Sequence, residues 1–185
     1  MRGKIFILTV LAFAAAALFG TAAAAADAPF HIGIVTGTVS QGEDELRGAE
    51  EMIKLYGDAS SGGMVRHVTY PDSFMAEMET TIAQIAGMAD DPLLKVIVVN
   101  QGVPGTTEGI RRAKEKRPDI ICLVGEAHED PNVIGSVADM VIQADFISRG
   151  YLIPHSAKEL GAKTFVHISF PRHMSYESLG RRRII

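Results

Sequence analysis

Only one cysteine, Cys122, stands among the 185 residues, so no disulfide closes within the chain and no paired-cysteine zinc site forms. Tryptophan is absent and aromatics make up 6% of the chain, which leaves few rings on which a base or sugar could stack. A basic surplus is lacking as well. The 18 Lys and Arg face 22 Asp and Glu, which excludes the concentrated positive surface that nucleic-acid phosphates require. No Gly-x-Gly-x-x-Gly fingerprint marks a dinucleotide site, and no Gly-x-Ser-x-Gly elbow presents a nucleophile. With 47% hydrophobic residues, what remains is the composition of one globular domain.

The chain opens on a cationic Met1-Arg2-Gly3-Lys4, runs uncharged and apolar from Ile5 to Phe19, and continues in small residues through Ala26. This is the order of a secretory signal, with an Ala-x-Ala cleavage site at Ala24-Ala25-Ala26. The apolar core is shorter than the ~20 residues that span a bilayer. The expected organisation is therefore a signal peptide over 1–26 and an α/β domain over 27–185, exported to the periplasm or secreted, and not membrane-spanning after cleavage. No cysteine lies near the cleavage point to carry a lipid.

Beyond Asp27, β-branched runs alternate with helical periodicity. Strands are predicted at Phe30–Thr36, Met64–Tyr70, Lys95–Asn100, Asp119–Val124, Met140–Ala144 and Thr164–Ser169. Between them, Leu46, Ala49, Ile53 and Tyr56 form one apolar helical face in a helix starting at Glu43, and Phe74, Met78, Ile82, Ile85 and Met88 another. Further helices are expected at Thr106–Lys116, at Asn132–Ala138 and from Asp145 to Leu160, the last interrupted at Pro154. Six strands with helical crossovers imply a doubly wound, mostly parallel sheet covered on both faces. The last residues, from Met174 to Ile185, read as a helix just beginning, so the chain is expected to be the first lobe of something longer.

In such a sheet, ligands bind outside the carboxyl ends of the strands. Five polar segments fall there: Thr36–Gly42, Tyr70–Ser73, Asn100–Gly105, Gly125–Pro131 and Ser169–His173. Gly37 and Gly42 have the spacing of a phosphate loop, but Glu43-Asp44 replaces its Lys and Ser/Thr, and a third acid follows at Glu45. Those acids repel a phosphate, which argues against nucleotide hydrolysis. Cys122 sits inside an apolar strand, as a buried structural thiol does. Glu126, His128, Glu129 and Asp130 crowd one loop, with His155 and His173 further on; this set suits a divalent ion, yet no His-x-x-x-His pair fixes a geometry. Arg149 and Arg172 are the cations best placed to meet an acidic group on a ligand. No catalytic residue and no cofactor is assigned.

Four stretches carry a resemblance: His31-Ile-Gly-Ile-Val-Thr-Gly-Thr-Val-Ser-Gln-Gly-Glu-Asp-Glu, Val98-Val-Asn-Gln-Gly-Val-Pro-Gly, Gly125-Glu-Ala-His-Glu-Asp-Pro and Ser148-Arg-Gly-Tyr-Leu-Ile-Pro. Together they resemble an uncharacterised bacterial extracytoplasmic family with the type I periplasmic-binding-protein fold, and the likeness covers nearly the whole mature chain. The resemblance implies a Rossmann-like lobe, here the N-terminal one alone, of a protein that captures a small polar solute and delivers it to the permease complex of an ABC-type importer. The chain departs from that pattern in its length and in lacking the acylated cysteine of the lipoprotein members. Thr36, Thr38, Tyr70, Asp72, Asn100, Gln101, Glu126, His128 and Arg172 are the expected ligand-binding residues. Two alternatives stand beside this: a ligand-sensing subunit for a membrane receptor, and a secreted enzyme or metal-binding protein using the Glu126/His128 loop.

Overall fold

The computed structural model describes residues 29–166 and 168. The expected signal segment and the chain from 169 onwards, including Arg172 and His173, lie outside the described residues. Five strands form one parallel sheet: β1 (His31–Thr36), β2 (Val65–Thr69), β3 (Leu94–Asn100), β4 (Ile121–Gly125) and β5 (Met140–Ile142), in the order β2-β1-β3-β4-β5. The helices are α1 (Val39–Tyr56), α2 (Met78–Met88), α3 (Thr106–Lys116), α4 (Pro131–Ile134) and α5 (Phe146–Glu159). This is an α/β fold, a doubly wound, Rossmann-like lobe as the strand-helix alternation required.

The main core lies under one face of the sheet. Val35, Ile97, Val99, Cys122 and Val124 point there and pack against Ile85, Met88 and Ile110 of the helices, all essentially inaccessible to water. Each such side chain contributes about 1.5–3 kcal/mol by leaving water. The helices α2 and α3 meet closely because residue 109 is glycine: a Cβ there would sit 2.8 Å from Cβ of Ile85. On the opposite face α1 covers only β1 and β2, through Ala49, Ile34 and Val65. Over β3, β4 and β5 no described helix covers that second face, and Ile121, Met140 and Ile142 are 51, 51 and 59% exposed.

Several element boundaries differ from the pattern. Thr38 caps α1, its hydroxyl accepting from the Ser40 amide, so the helix begins at Val39 rather than Glu43. Gly42 (φ −166°, ψ 74°) kinks it, and the periodicity beginning at Glu43 marks the segment beyond that kink. Helix α2 starts at Met78; Phe74 belongs instead to the preceding turn, where its ring meets Tyr70 edge-on at 5.7 Å. The apolar spacing that placed it on the helix thus reports burial and not helicity. Pro154 lies within α5 without ending it. The expected sixth strand does not form at Thr164, Phe165, Val166 or Ile168, which are mostly exposed and carry no ladder; His167 and Ser169 lie outside the described residues. No helix among the described residues is long and apolar enough to cross a membrane.

Candidate functional site

The parallel register aligns the strand ends on one rim, with Thr36 beside Thr69 and Asn100 beside Gly125. Strand order reverses between β1 and β3, where open α/β sheets place their ligand crevice. Here that gap is bridged by the protein's own side chains. Tyr70 Oη donates to Gln101 Oε1 at 2.9 Å, and Gln101 Nε2 donates to Glu45 Oε1 at 3.0 Å. Thr38 Oγ1 donates to Asp72 Oδ1, and Gln41 Nε2 reaches the Asp72 carbonyl at 3.3 Å. The Thr38 and Ser40 hydroxyls hold the Asp72 carboxyl below its usual pKa.

Thr36 and Tyr70 are fully buried beneath this network. Thr36 Oγ1 donates to the Gly37 carbonyl and lies 2.8 Å from His67 Nε2. Tyr70 Oη lies 2.7 Å from where a Cβ on residue 37 would stand, so the first glycine of the apparent phosphate loop makes room for a phenol. Burial, with Glu45 and Asp72 adding to it, raises the Tyr70 pKa far above that of a free phenol, so the hydroxyl stays a donor.

Immediately beside the bridged gap, the rim opens into a cavity of about 530 Å³ over β3, β4 and β5. Val98, Leu123 and Ile142 line its apolar part; Asn100, Glu126 and Gln143 bring the polar side chains. None of these three side chains hydrogen-bonds to another described residue, and Gln143 Oε1 is buried without a partner. Two rim residues, Gln101 (φ 57°) and Glu126 (φ 46°), hold left-handed backbone conformations although neither is glycine. Such strain persists where surrounding structure imposes it. For Glu126 part of that structure is its amide, which donates to the Ile142 carbonyl at 3.0 Å.

The four residues crowded after β4 separate into different tasks. Glu126 lines the cavity, while the His128 ring lies 6.5 Å from Phe74. Glu129 accepts from the amides of Gly105 (2.8 Å) and Thr107 (2.9 Å) and from the Thr107 hydroxyl, thereby closing the N-terminus of α3. Asp130 caps α4 through the Asn132 amide. Among the described residues no three His, Cys, Asp or Glu side chains gather as a metal would need. Of the remaining ionisable residues noted in the sequence, His31 pairs with Asp91 at 2.6 Å, His155 stacks on Tyr151, and burial pushes the Cys122 thiol up to about 11.

Of the nine expected ligand-binding residues, therefore, Asn100 and Glu126 line the cavity. Thr36, Thr38, Tyr70, Asp72 and Gln101 form the hydrogen-bonded wall beside it, His128 stands by Phe74, and Arg172 lies outside the described residues. Gln143 escaped the sequence reading. It directly follows the short strand β5, and its place just past the carboxyl end of a strand is the only sequence signal that it reaches the rim.

A family model described as "Protein of unknown function (DUF3798)" matches residues 30–185. A Treponema pallidum (strain Nichols) protein described as uncharacterized is 41% identical over 156 residues, 83% of this chain and 71% of that protein. Another from the same organism is 43% identical over 98 residues, covering 53% of this chain and 45% of the other. A crystal structure from Clostridium difficile 630, described as a "Putative transcriptional regulator", superposes with a TM-score of 0.67 at 26% identity. That match covers 84% of this chain, and this chain spans 45% of that structure's.

Proposed function

The chain belongs to this DUF3798 family of proteins of unknown function, and on that premise we propose that it is an extracytoplasmic ligand-binding lobe that captures a small polar organic molecule for an ABC-type importer. The observation carrying this reading is the cavity at the carboxyl ends of β3, β4 and β5, lined by Asn100, Glu126 and Gln143, whose side chains hydrogen-bond to no other described residue. A pocket of that size with an apolar floor and a few converging polar groups suits a small organic ligand. The signal-like order of residues 1–26 supports export, and the likeness of the four quoted stretches to periplasmic-binding-protein-like proteins supports delivery to a membrane permease.

Binding is favoured over turnover. Cys122 is buried with its thiol protonated, the Tyr70 phenol is held as a hydrogen-bond donor, and Glu126 lines the cavity while the His128 ring meets Phe74. A sensing role for the same pocket is the second reading, favoured by the likeness to a solved structure described as a putative regulator.

The test is thermal-shift screening of the mature chain against amino acids, sugars, nucleosides, polyamines and metals. A ligand present at a hundredfold excess over its dissociation constant stabilises by about 2.7 kcal/mol. A folded protein that no class stabilises overturns the reading. Mass spectrometry of the exported protein should find Asp27 at its N-terminus, and co-purification with a permease or with a receptor kinase separates transport from sensing.

A further inference from the structure

Resting on that reading, we propose that the cavity takes an aliphatic organic cation, a primary amine or guanidine carried on a short methylene chain. The lining argues for this group by group. Glu126 offers a carboxylate, an acceptor only. Gln143 lines the cavity beside it. Asn100, whose Oδ1 lies 2.9 Å from where a Cβ on Gly125 would stand, sits on the adjacent strand and supplies a further carbonyl.

Ammonium and guanidinium groups carry donors and no acceptor, and so match the Glu126 carboxylate and the Asn100 amide oxygen. Among the described residues no Lys, Arg or His lines the cavity. An anionic group would therefore enter against the Glu126 charge with no described cation to receive it. A polyhydroxylated ligand needs polar partners on every side, yet the floor is Val98, Leu123 and Ile142. Methylenes cover that floor without stranding a hydroxyl, and their burial favours binding. The backbone of Glu126 is already held by the hydrogen bond its amide donates to the Ile142 carbonyl.

Three probes of matched length isolate the charge: cadaverine, pentanediol and glutarate, titrated calorimetrically into the mature chain. Cadaverine should bind at least tenfold more tightly than pentanediol, with glutarate weakest. Glu126→Gln should weaken cadaverine about tenfold while circular dichroism shows an unchanged fold, and Glu43→Gln, on the exposed face of α1, should leave its affinity unaltered. Equal or tighter binding of pentanediol or glutarate overturns the ligand class and leaves the ligand-binding reading standing. Cadaverine binding that is indifferent to Glu126→Gln overturns the site. If cadaverine does not bind while another solute class does, this inference alone fails; if no class binds, the functional reading fails with it.

Discussion

Tyr70 Oη and Gln101 Oε1 are joined by a 2.9 Å hydrogen bond that spans β1, tying the loop after β2 to the loop after β3. Gln101 in turn donates to Glu45, so three chain segments share one partly buried polar relay. Removing the phenol oxygen in Tyr70→Phe leaves Gln101 Oε1 without its donor and should cost about 1–2 kcal/mol in urea unfolding.

Gln101 also separates side-chain from backbone effects. Its φ of 57° costs roughly 1 kcal/mol in any residue bearing a Cβ. Gln101→Ala loses the relay and keeps that cost, whereas Gln101→Gly loses the relay and sheds it. The glycine variant should therefore be the more stable of the two by about 1 kcal/mol, and equal stabilities would refute the assignment of strain.

Two acids three residues apart should behave oppositely. Glu129→Ala uncaps α3 and is expected to cost about 2 kcal/mol, since three donors lose their acceptor. Glu126→Ala should change stability by less than about 0.5 kcal/mol, because its side chain holds no described partner. Chemical denaturation of both variants checks the split.

Histidine 67 gives the stability a pH dependence. Burial lowers its pKa below the ordinary 6.5, partly offset by Glu50. A base with a depressed folded pKa binds fewer protons in the folded than in the unfolded chain, so its contribution is present above the unfolded value and falls away as pH drops through the folded one. His67→Gln should flatten the stability loss measured between about pH 7 and pH 5, while an unchanged slope would place the titrating group elsewhere.

The two faces of the sheet should differ in their tolerance. Val124→Ala empties part of the main core and should cost about 2 kcal/mol. Ile142→Thr, on the open face at 59% exposure, keeps β-branching and should stay within about 0.5 kcal/mol. Melting curves of the two variants in parallel decide it.

Strand existence was legible because four β-branched residues from Val96 to Val99 suit a strand regardless of its neighbours, and helix α3 was read to its ends because Gly105 and Arg117 bound a clean amphipathic period. Phe74 misled because burial, not helicity, set its spacing. The candidate site was legible only as a rim. Polar residues after each strand could be listed from the sequence, but which of them satisfy one another depends on distances between segments remote in the chain: Thr38 with Asp72, Tyr70 with Gln101, Glu129 with Gly105.

The linear order of residues determined the class of fold, since hydrophobic period and chain punctuation are local properties. It also determined the acidic character of the loops and the absence of any nucleotide fingerprint. The tertiary structure alone decided that the gap between β1 and β3 is sealed by Gln101, that the open space lies one strand over, and that Gln143 borders it. Hydrogen bonds between residues dozens of positions apart have no counterpart in sequence spacing, so which rim side chains satisfy one another and which line the cavity could be decided only by the fold.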